Sequence, residues 1–495
     1  MAKVIIDPIT RIEGHLKIEV DVEDGQVVDA KSSGTLFRGF EIIMKGRDPR
    51  DAQHLTQRVC GVCPAAHAAA AVFNLEDAFG VTPPENARII RNLVTGANFI
   101  MSHILHFYHL AALDYVLGPE TPPFIPRYAG DYRLPQDVND AAVEHYKQAL
   151  EMRMKAHEML AVFGGKMPHL MTFVPGGVTE KPDADEVAYF HSILGDLREF
   201  IDNVYIPDVL AVAGAYQDYF SIGVGCQNLL AYGVFPLNGG NGQRLLPSGV
   251  YIERELSAFD PRLIAEYVRY SWYSQEATGK NPREGVTQPE PAAVLKPEAY
   301  SWLKAPRYDG KVLEAGPLAR MVVAYLTGTP SAAKELIDST LGELELSIDA
   351  LSSVMGRHAA RALECKLIAD SMEEWLWQLD PGEPVYTESD VPASGEGMGL
   401  TEAPRGALGH WIRIEDSKIA NYQIVTPTNW NASPRDDQGN RGPIEQALIG
   451  TPVADPENPI EVVRVVRSFD PCLACAVHLV SPERDFGVFK ISAGG

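Results

Sequence analysis

Two Cys-x-x-Cys pairs near opposite ends of the chain constrain its fold more than any other feature of the sequence. The first pair is Cys60 and Cys63 in RVCGVCPAAH, and the second is Cys472 and Cys475 in DPCLACAVH. Cysteines three positions apart can direct two thiolates to one metal, and zinc ribbons keep such pairs about 15–20 residues apart. Pairs this distant instead predict a metal buried where the first and last parts of a large fold meet.

Either pair alone has other interpretations. A single Cys-x-x-Cys is also typical of a redox-active dithiol, or of half a structural zinc site. Four thiolates favour a soft metal, so zinc, iron, nickel and copper all stay open on the residues alone. The chain has only 6 cysteines, too few for a disulfide scaffold, and we expect Cys226 and Cys365 to be buried structural thiols.

The charge balance excludes several classes of partner. The sequence has 43 basic and 66 acidic side chains, a net charge of −23, which argues against nucleic-acid binding and against a polybasic membrane patch. No apolar run of about 18 residues predicts a transmembrane helix, and the N-terminal residues show no secretory signal. We therefore expect a protein without a transmembrane segment.

Periodicity predicts the α+β class: a large, mostly helical body with β-rich N-terminal and C-terminal parts that meet at a buried metal site. Apolar and polar residues alternate over 3–45, with a hairpin turn at Asp24-Gly25, and strands return in HWIRIED and KIANYQIVTP. Helical patterns cover 51–79, a long apolar stretch from Asn86, and then 138–162, 184–218, 260–275, 316–327 and 331–377. We expect a β-rich segment over 1–50, a helical body over 51–380 and a mixed segment over 381–478.

Several polar residues are candidates for chemistry, each with an ordinary alternative. Glu13 and Glu41 lie in apolar surroundings, where a carboxylate serves as a proton acceptor or binds a hard cation; the alternative is a surface or turn carboxylate. Arg405 in PRGALGH lies among small residues, where its guanidinium is a candidate hydrogen-bond donor. The alternative is an ordinary turn cation or salt-bridge partner. Three histidines have helical spacing and are either ligands or core side chains with satisfied rings: His103, His106 and His109.

The motifs together resemble those of one family, the large subunit of nickel–iron hydrogenases, over essentially the whole chain. The matching blocks are RIEGHLKIEV, FRGFE, GRDPRDAQHLTQRVCGVC, HFYHLAALD, PRGALGHW, PTNWNASPRD and SFDPCLACAVH, in the family's order. The chain looks most like the respiratory, H2-oxidising uptake group. Selenium variants in that group carry selenocysteine at the position of Cys472, so the cysteine here implies a plain nickel–iron site.

The resemblance implies the following roles. Nickel would be held by Cys60, Cys63, Cys472 and Cys475, of which Cys63 and Cys475 would bridge to an iron that carries CO and cyanide. Magnesium would be bound by Glu41, by the backbone carbonyl of Ile424 and by His478. Glu13 would take a proton from the Cys472 thiolate, and Arg405 would lie over the open face of the metals. The residues around the metals would be His67, Thr428 and Asp470. Of these, Thr428 would donate a hydrogen bond to a cyanide. Ser102 departs from relatives that have an acidic residue there, which puts a contact with Arg405 in doubt.

The resemblance also implies partners and processing. Too few cysteines remain for an iron–sulfur cluster in this chain, so a separate iron–sulfur small subunit would carry the electrons from H2. Nickel-insertion factors would load the metal, and an endopeptidase would then cut between His478 and Leu479 and remove 479–495. The small subunit would bring the pair to the periplasm; the alternative is the cytoplasm.

Three alternative functions can each be distinguished from a catalytic hydrogenase subunit by one feature. H2-sensing relatives end at the histidine, whereas this chain continues beyond His478. The quinone-side subunit of respiratory complex I has the same fold without nickel and lacks the cysteine pairs. A structural zinc protein would contain zinc alone. The sequence therefore favours a catalytic subunit for the reversible cleavage of H2 to protons and electrons.

Overall fold

The structure is a computed structural model, and it describes residues 2–237, 242–290 and 296–476 apart from the side chains of Cys475 and Ala476. His478, Leu479 and the predicted 479–495 peptide therefore lie outside the described residues.

Helices form most of the body of the protein. In chain order they are α1 (Phe40–Met44), α2 (Ala52–Thr56), α3 (Pro64–Phe79), α4 (Glu85–Leu105), α5 (Gln136–Gly164), α6 (Ala184–Phe200), α7 (Ile206–Ala215), α8 (Pro317–Thr327), α9 (Ser331–Glu343), α10 (Val354–Leu376), α11 (Pro427–Asn431), α12 (Pro443–Leu448), α13 (Ile460–Ser468) and α14 (Leu473–Ala476). Two segments are π-helical, His106–Ala111 after α4 and Ile201–Tyr205 after α6.

Short sheets flank this body. Their strands are β1 (Ala2–Ile6), β2 (Leu16–Glu23), β3 (Gln26–Gly34), β4 (Phe173–Val174), β5 (Gly177–Val178), β6 (Leu229–Ala231), β7 (Val234–Pro236), β8 (Arg244–Leu246), β9 (Gly249–Ile252), β10 (Glu255–Ser257), β11 (Ile264–Tyr267), β12 (Ala305–Tyr308), β13 (Glu314–Ala315), β14 (Ser394–Ala403), β15 (Gly406–Glu415) and β16 (Lys418–Val425). The antiparallel sheet β1-β2-β3 comes from the start of the chain and β14-β15-β16 from near its end. The predicted α+β class is confirmed.

The N-terminal sheet follows directly from its sequence. Residues of β2 alternate between buried and partly exposed, which is the period of a strand with one face on the core. β2 and β3 meet at the predicted turn, where Asp24 and Gly25 both have positive φ (49° and 76°). Two positive φ angles match the right-handed twist of the strands, so the hairpin prediction is correct.

The C-terminal sheet packs against α3, the helix that follows the first cysteine pair. The contact is close because β14 has glycines at 397 and 399 where it crosses the helix. A Cβ on Gly397 would lie 1.9 Å from the backbone oxygen of Asn74, and one on Gly399 would lie 2.0 Å from that of Ala70. The first and last parts of the chain are therefore in direct contact, next to Cys63.

One predicted helix is absent, and another predicted helical span is divided in two. Residues 260–275 contain β11 instead, where Ile264, Glu266 and Val268 are buried and the residues between them are only partly buried. That alternation has a period of two, as in a strand. The span 331–377 is two helices, α9 and α10, because Glu345 takes a positive φ and the Ser353 hydroxyl caps the start of α10. Across the described ranges, no helix is both long and apolar enough to cross a membrane.

Candidate metal centre

The two ends of the chain bring three cysteine sulfurs together. The Sγ atoms of Cys60 and Cys472 lie 3.3 Å apart. With Cys63 they form a buried group whose sulfurs all lie within 4.8 Å of one another. No disulfide joins the described cysteines. The side chain of the fourth predicted ligand, Cys475, lies outside the described part, although its backbone belongs to α14.

Local backbone geometry explains how the first pair converges. Cys60 is extended, and Cys63 is the residue before the first turn of α3, with Pro64 opening the helix. The backbone N–H groups of Val62 and Cys63 donate to Cys60 Sγ over 3.3 and 3.4 Å. Backbone donors stabilise a thiolate, which is the form of cysteine that binds metal.

Glu13 meets the second pair through both its backbone and its carboxylate. The backbone N–H of Leu473 donates to the Glu13 carbonyl over 2.7 Å, and Ala474 N–H donates to Oε2 over 3.0 Å. The Cys472 sulfur lies 3.5 Å from the same oxygen, Oε2. Burial and the nearby charge of Cys60 raise the pKa of Glu13, while Arg405 opposes the shift. The carboxyl is thus placed to exchange a proton with the Cys472 sulfur.

Arg405 is buried beside the cysteines, and not all of its N–H groups make hydrogen bonds. Nη1 donates to the Ser102 hydroxyl over 3.3 Å, so the contact that was in doubt is present through a serine. Nε lies 3.1 Å from an Asp470 oxygen but is not aligned for a hydrogen bond. Burial alone would lower the pKa of Arg405, yet the charges of Asp470 and the three cysteines hold it well above its ordinary value.

The unpartnered atoms around Arg405 suit a polar ligand. Arg405 Nε and Nη2 and both Asp470 carboxylate oxygens are buried without a hydrogen bond. Such groups are costly unless something binds them. Thr428 Oγ1 accepts the N–H of Cys472 over 3.0 Å, so its own O–H is left to donate to another acceptor. Cysteine sulfurs are suitable ligands for a soft metal, and the N–H and O–H donors around them could bind small hydrogen-bond acceptors carried by that metal.

Glu41, the predicted magnesium ligand, lies in a second polar cluster. Its Oε1 accepts the backbone N–H of Ile424 over 2.8 Å, and Thr287 donates to Oε2. Sequence reasoning missed two buried neighbours, Lys304 and Glu266, which form an ion pair of 3.0 Å, with Lys304 Nζ 4.0 Å from Glu41. Burial raises the pKa of Glu266, whereas both carboxylates raise that of Lys304 against the effect of its burial. Carboxylate and carbonyl oxygens are suitable ligands for magnesium.

The three spaced histidines are core residues with partners. Their Nε2 atoms pair with Glu364, with the Arg467 carbonyl and with the Tyr146 carbonyl, at 2.8, 2.7 and 3.2 Å for His103, His106 and His109. The ordinary interpretation of these histidines holds only in part, because the Nδ1 atom of each ring is buried without a hydrogen bond. Cys365 is fully buried, and Cys226 is partly buried next to the carbonyl of Asn228; burial raises the pKa of the Cys226 thiol to about 12.

Sequence reasoning also missed Arg320, which holds the turn that carries Arg405. All five of its N–H groups donate: two to Glu364, at 2.5 and 2.7 Å, one to Glu402 at 2.8 Å, and two to the carbonyls of Ala403 and Pro404 at 3.0 and 2.8 Å. Arg320 thereby fixes each of the three residues before Arg405. No motif marks it, because its partners come from distant parts of the chain.

Comparison with known proteins identifies the family of this chain and the metal that the family uses. A family model described as "Nickel-dependent hydrogenase" matches residues 38–117 and 118–478, and a model described as "HoxL-like" matches residues 3–33. The chain belongs to the nickel-dependent hydrogenase family. The predicted family, class of enzyme and use of nickel are thereby confirmed.

Named relatives match this chain along nearly its whole length. The chain is 49% identical to the "Periplasmic [NiFeSe] hydrogenase large subunit" of Desulfomicrobium baculatum, over 97% of this chain and 96% of that protein. It is 38% identical to the "Uptake hydrogenase large subunit" of Bradyrhizobium diazoefficiens, with the same coverage of 97% and 96%. This hydrogenase chain is therefore a catalytic large subunit, and a large subunit implies a small subunit as partner.

Solved structures of the family superimpose closely on the fold. The Ni-Fe-Se hydrogenase from D. vulgaris Hildenborough in the reduced state matches with a TM-score of 0.92 and 49% identity, over 96% of this chain and 100% of that chain. A reduced, active Ni-Fe-Se hydrogenase from Desulfomicrobium baculatum matches with the same TM-score of 0.92 and 49% identity, again over 96% and 100% of the two chains. These matches confirm the predicted architecture.

Proposed function

We propose that this large subunit cleaves H2 at a nickel held by Cys60, Cys63, Cys472 and Cys475, and that Glu13 is the first proton acceptor. The observation that carries the proposal is the 3.5 Å contact between the Cys472 sulfur and Glu13 Oε2, beside the buried cysteine group. When bound, the metals would supply a Lewis-acidic centre at which H2 becomes acidic and gives up two electrons.

The chain's own residues then account for the proton. A Cys472 thiolate that takes up a proton becomes a thiol donor to Glu13 Oε2 over the distance given above. Because burial raises the pKa of Glu13, its carboxylate is a stronger base than an exposed one and holds the proton more readily. Ala474 N–H keeps Oε2 oriented throughout, since it donates to the same oxygen over 3.0 Å.

We further propose an iron bridged by Cys63 and Cys475, with CO and cyanide ligands. The donors available to those ligands are the free N–H groups of Arg405 and the hydroxyl of Thr428. A magnesium would be bound by Glu41, the Ile424 carbonyl and His478, of which Glu41 and Ile424 already lie together. Sulfur stands at position 472, so we propose a nickel–iron site without selenium, unlike the [NiFeSe] relatives.

The partner and location extend the same proposal. The small subunit would carry iron–sulfur clusters, because Cys226 and Cys365 are the only cysteines left after the four proposed ligands, and a cluster needs about four thiolates. The pair would work in the periplasm, as the name of the Desulfomicrobium baculatum relative suggests. Uptake of H2 would be its main direction, since several relatives are named uptake hydrogenases.

Maturation would end with cleavage between His478 and Leu479. This part of the proposal is supported by the family match, which stops at residue 478 although the chain continues to 495. Nickel-insertion factors would act before the endopeptidase. Mass spectrometry of the active enzyme tests it: we expect a large subunit lacking residues 479–495, and a full-length large subunit in the active enzyme would contradict the cleavage.

The decisive experiment combines metal analysis with H2-dependent viologen reduction. We expect nickel and iron near 1:1 in the purified enzyme, and loss of both nickel and activity in Cys475→Ser. Glu13→Gln should keep the metals but lose roughly 100-fold or more in H2 oxidation, because a positioned proton acceptor contributes about that much. Zinc alone in the wild type, or full activity in Glu13→Gln, would refute the proposal.

A further inference from the structure

Asp114 connects the two ends of the chain that meet at the contact between Glu13 and Cys472. It is the last residue of the block HFYHLAALD, and its side chain is almost completely buried. Nη1 of Arg467 donates to both carboxylate oxygens of Asp114, over 2.5 and 2.7 Å, and Nη2 of Arg11 donates to Oδ1. Arg11 belongs to the N-terminal segment that leads to Glu13, and Arg467 lies near the end of α13, shortly before Cys472. One carboxylate therefore binds one cation from each end of the chain.

Arg467 also binds the N-terminal segment directly. Its Nε donates to the carbonyl of Thr10, and its Nη2 donates to Thr10 Oγ1, both over 3.0 Å. The carbonyl of Arg467 in turn accepts the backbone N–H of Asp470 over 2.9 Å. Thr10 lies three residues before Glu13, and Asp470 lies two residues before Cys472. Arg467 thus holds both segments close to the residues that make the contact.

The charge of Asp114 is what allows two arginines to lie together in the interior. Burial and the charge of Arg11 lower the pKa of Arg467, whereas the charge of Asp114 opposes them. Burial alone would raise the pKa of Asp114, but the charges of Arg467 and Arg11 hold it below its ordinary value, so the carboxylate is ionised. Without that negative charge, the two buried cations would repel one another and separate the segments that carry them.

The same two segments hold an unfavourable backbone conformation. Arg11 and Asp470 both have a φ of 54°, in the left-handed region that is costly for residues other than glycine. Each lies two residues before the residue that it positions, Glu13 in one segment and Cys472 in the other. Such a conformation persists only where the surrounding contacts hold it. The ion pairs and hydrogen bonds described above are contacts of this kind.

We propose that Asp114 is a positioning residue for proton transfer, which keeps Glu13 Oε2 next to the Cys472 sulfur. It acts through Arg11 and Arg467, and it touches neither Glu13 nor the cysteines itself. The consequence for catalysis rests on the proposed function, in which Glu13 is the first proton acceptor. Proton transfer needs donor and acceptor within hydrogen-bond reach, so a small separation of the two segments slows it.

A double-mutant cycle in the assembled enzyme tests this role. Asparagine has nearly the shape of aspartate, and Arg464 donates to the backbone carbonyl of residue 114 over 3.2 and 2.5 Å, so Asp114→Asn should keep its own segment in place. We expect kcat for H2 oxidation per bound nickel to fall roughly tenfold or more, with KM for H2 unchanged. In a Glu13→Gln background the same change should cause no further loss, because the side chain that it positions is already gone. Native kcat in Asp114→Asn, or the same fold-loss in both backgrounds, would overturn the proposal.

Asp436→Asn is the matched control. Asp436 is equally buried and pairs with Arg307 over 2.8 Å, and it otherwise accepts the backbone N–H groups of Gln438 and Asn440 in its own loop. This variant should keep its kcat per nickel. A loss equal to that of Asp114→Asn would show that any buried aspartate has the same effect, and it would overturn the positioning role.

Arg11→Gln provides a second variant that is less demanding for folding, because the Arg11 side chain is partly exposed. It removes the cation on the N-terminal side alone and keeps the bond between Arg467 and Asp114. We expect a smaller fall in kcat per nickel, roughly threefold, that again disappears in the Glu13→Gln background. Native kcat in Arg11→Gln would contradict the proposed link to Glu13.

A crystal structure of the Asp114→Asn enzyme tests the geometry independently of catalysis. We expect the distance between Glu13 Oε2 and the Cys472 sulfur to exceed the 3.5 Å found here. An unchanged distance would overturn the proposal, whatever metal the enzyme contains. Full activity in Glu13→Gln alone would instead refute the proposed function, so the two failures can be told apart.

Discussion

Gly14 packs against the backbone of Ala474 so closely that a Cβ on Gly14 would lie 2.5 Å from the Ala474 nitrogen. It would also lie 2.8 Å from the Cβ of Leu473. Gly14 has a φ of 83°, a conformation that favours glycine. The junction that places Glu13 against Cys472 thus depends on the absence of a side chain at the next position.

Gly14→Ala should therefore prevent assembly of the centre. We expect nickel content to fall by roughly tenfold or more, because the added methyl group would push the Glu13 backbone away from α14. Gly46→Ala is the control: Gly46 has a similar φ of 79°, but nothing lies within 4 Å of its Cβ position. It should cost only about 1–2 kcal/mol of stability and keep its nickel. Equal nickel loss in both variants, measured by elemental analysis, would refute this explanation.

Arg320→Lys should reduce activity through the position of Arg405. A lysine keeps the charge but has fewer donors, so it cannot bind Glu364 and the turn before Arg405 together. We expect a loss of about 2–4 kcal/mol in stability and roughly tenfold or more in kcat/KM. Arg307→Lys is the matched control, because Arg307 is equally buried and binds Asp436 and nearby carbonyls instead. It should lose stability alone; a similar loss of kcat/KM in both would contradict the prediction.

The stability contributed by Glu402 should depend on pH. Burial raises its pKa to about 7, despite Arg320, whereas the Arg320 charge and hydrogen bonds hold the pKa of Glu364 at about 2 against the effect of its burial. A folded-state pKa raised from about 4.5 means that this contribution is complete below pH 4.5 and is lost as pH rises through 7. We expect the difference in unfolding free energy between wild type and Glu402→Gln to fall by about 3 kcal/mol between those values. A difference independent of pH in urea titrations would contradict it.

Removal of one predicted cysteine ligand should be distinguishable from removal of a structural cysteine. Cys60→Ser takes away the sulfur that lies 3.3 Å from Cys472, so we expect loss of nickel and of H2 oxidation. Cys226→Ser changes a partly buried thiol that contacts the Asn228 carbonyl, and it should retain both. Nickel retained in Cys60→Ser, determined by elemental analysis, would exclude Cys60 as a ligand.

The sequence predicted those parts of the centre that lie next to a cysteine pair or within a recognisable block. The spacing of the cysteines indicated a metal between the chain ends, and the family resemblance supplied Glu13, Arg405 and Thr428, which the fold brings to Cys472 and its neighbours. The sulfur of Cys475 and the ring of His478 lie outside the described residues, so their roles stay predictions.

What the sequence could not predict depends on contacts between distant segments. Arg320 and its ion-pair partner Glu402 are 82 residues apart. His67 and His410, whose ring nitrogens lie 3.1 Å from one another, are 343 residues apart, so no local pattern marks either pair. The helical pattern predicts a helix over 260–275, although tertiary burial selects a strand there. Partners of this kind are set by the packing of α3 and α8 on the C-terminal sheet.

The sulfur contact between Cys60 and Cys472 has a consequence for synthesis of the protein. The two residues are 412 positions apart, so Cys472 leaves the ribosome long after Cys60 has done so. With the four sulfur ligands proposed above, a nascent chain offers only the first thiolate pair. Nickel selection would then wait until translation of the second pair, and the newly made chain would depend on protection of Cys60 and Cys63 from stray metal ions and oxidants in the interval.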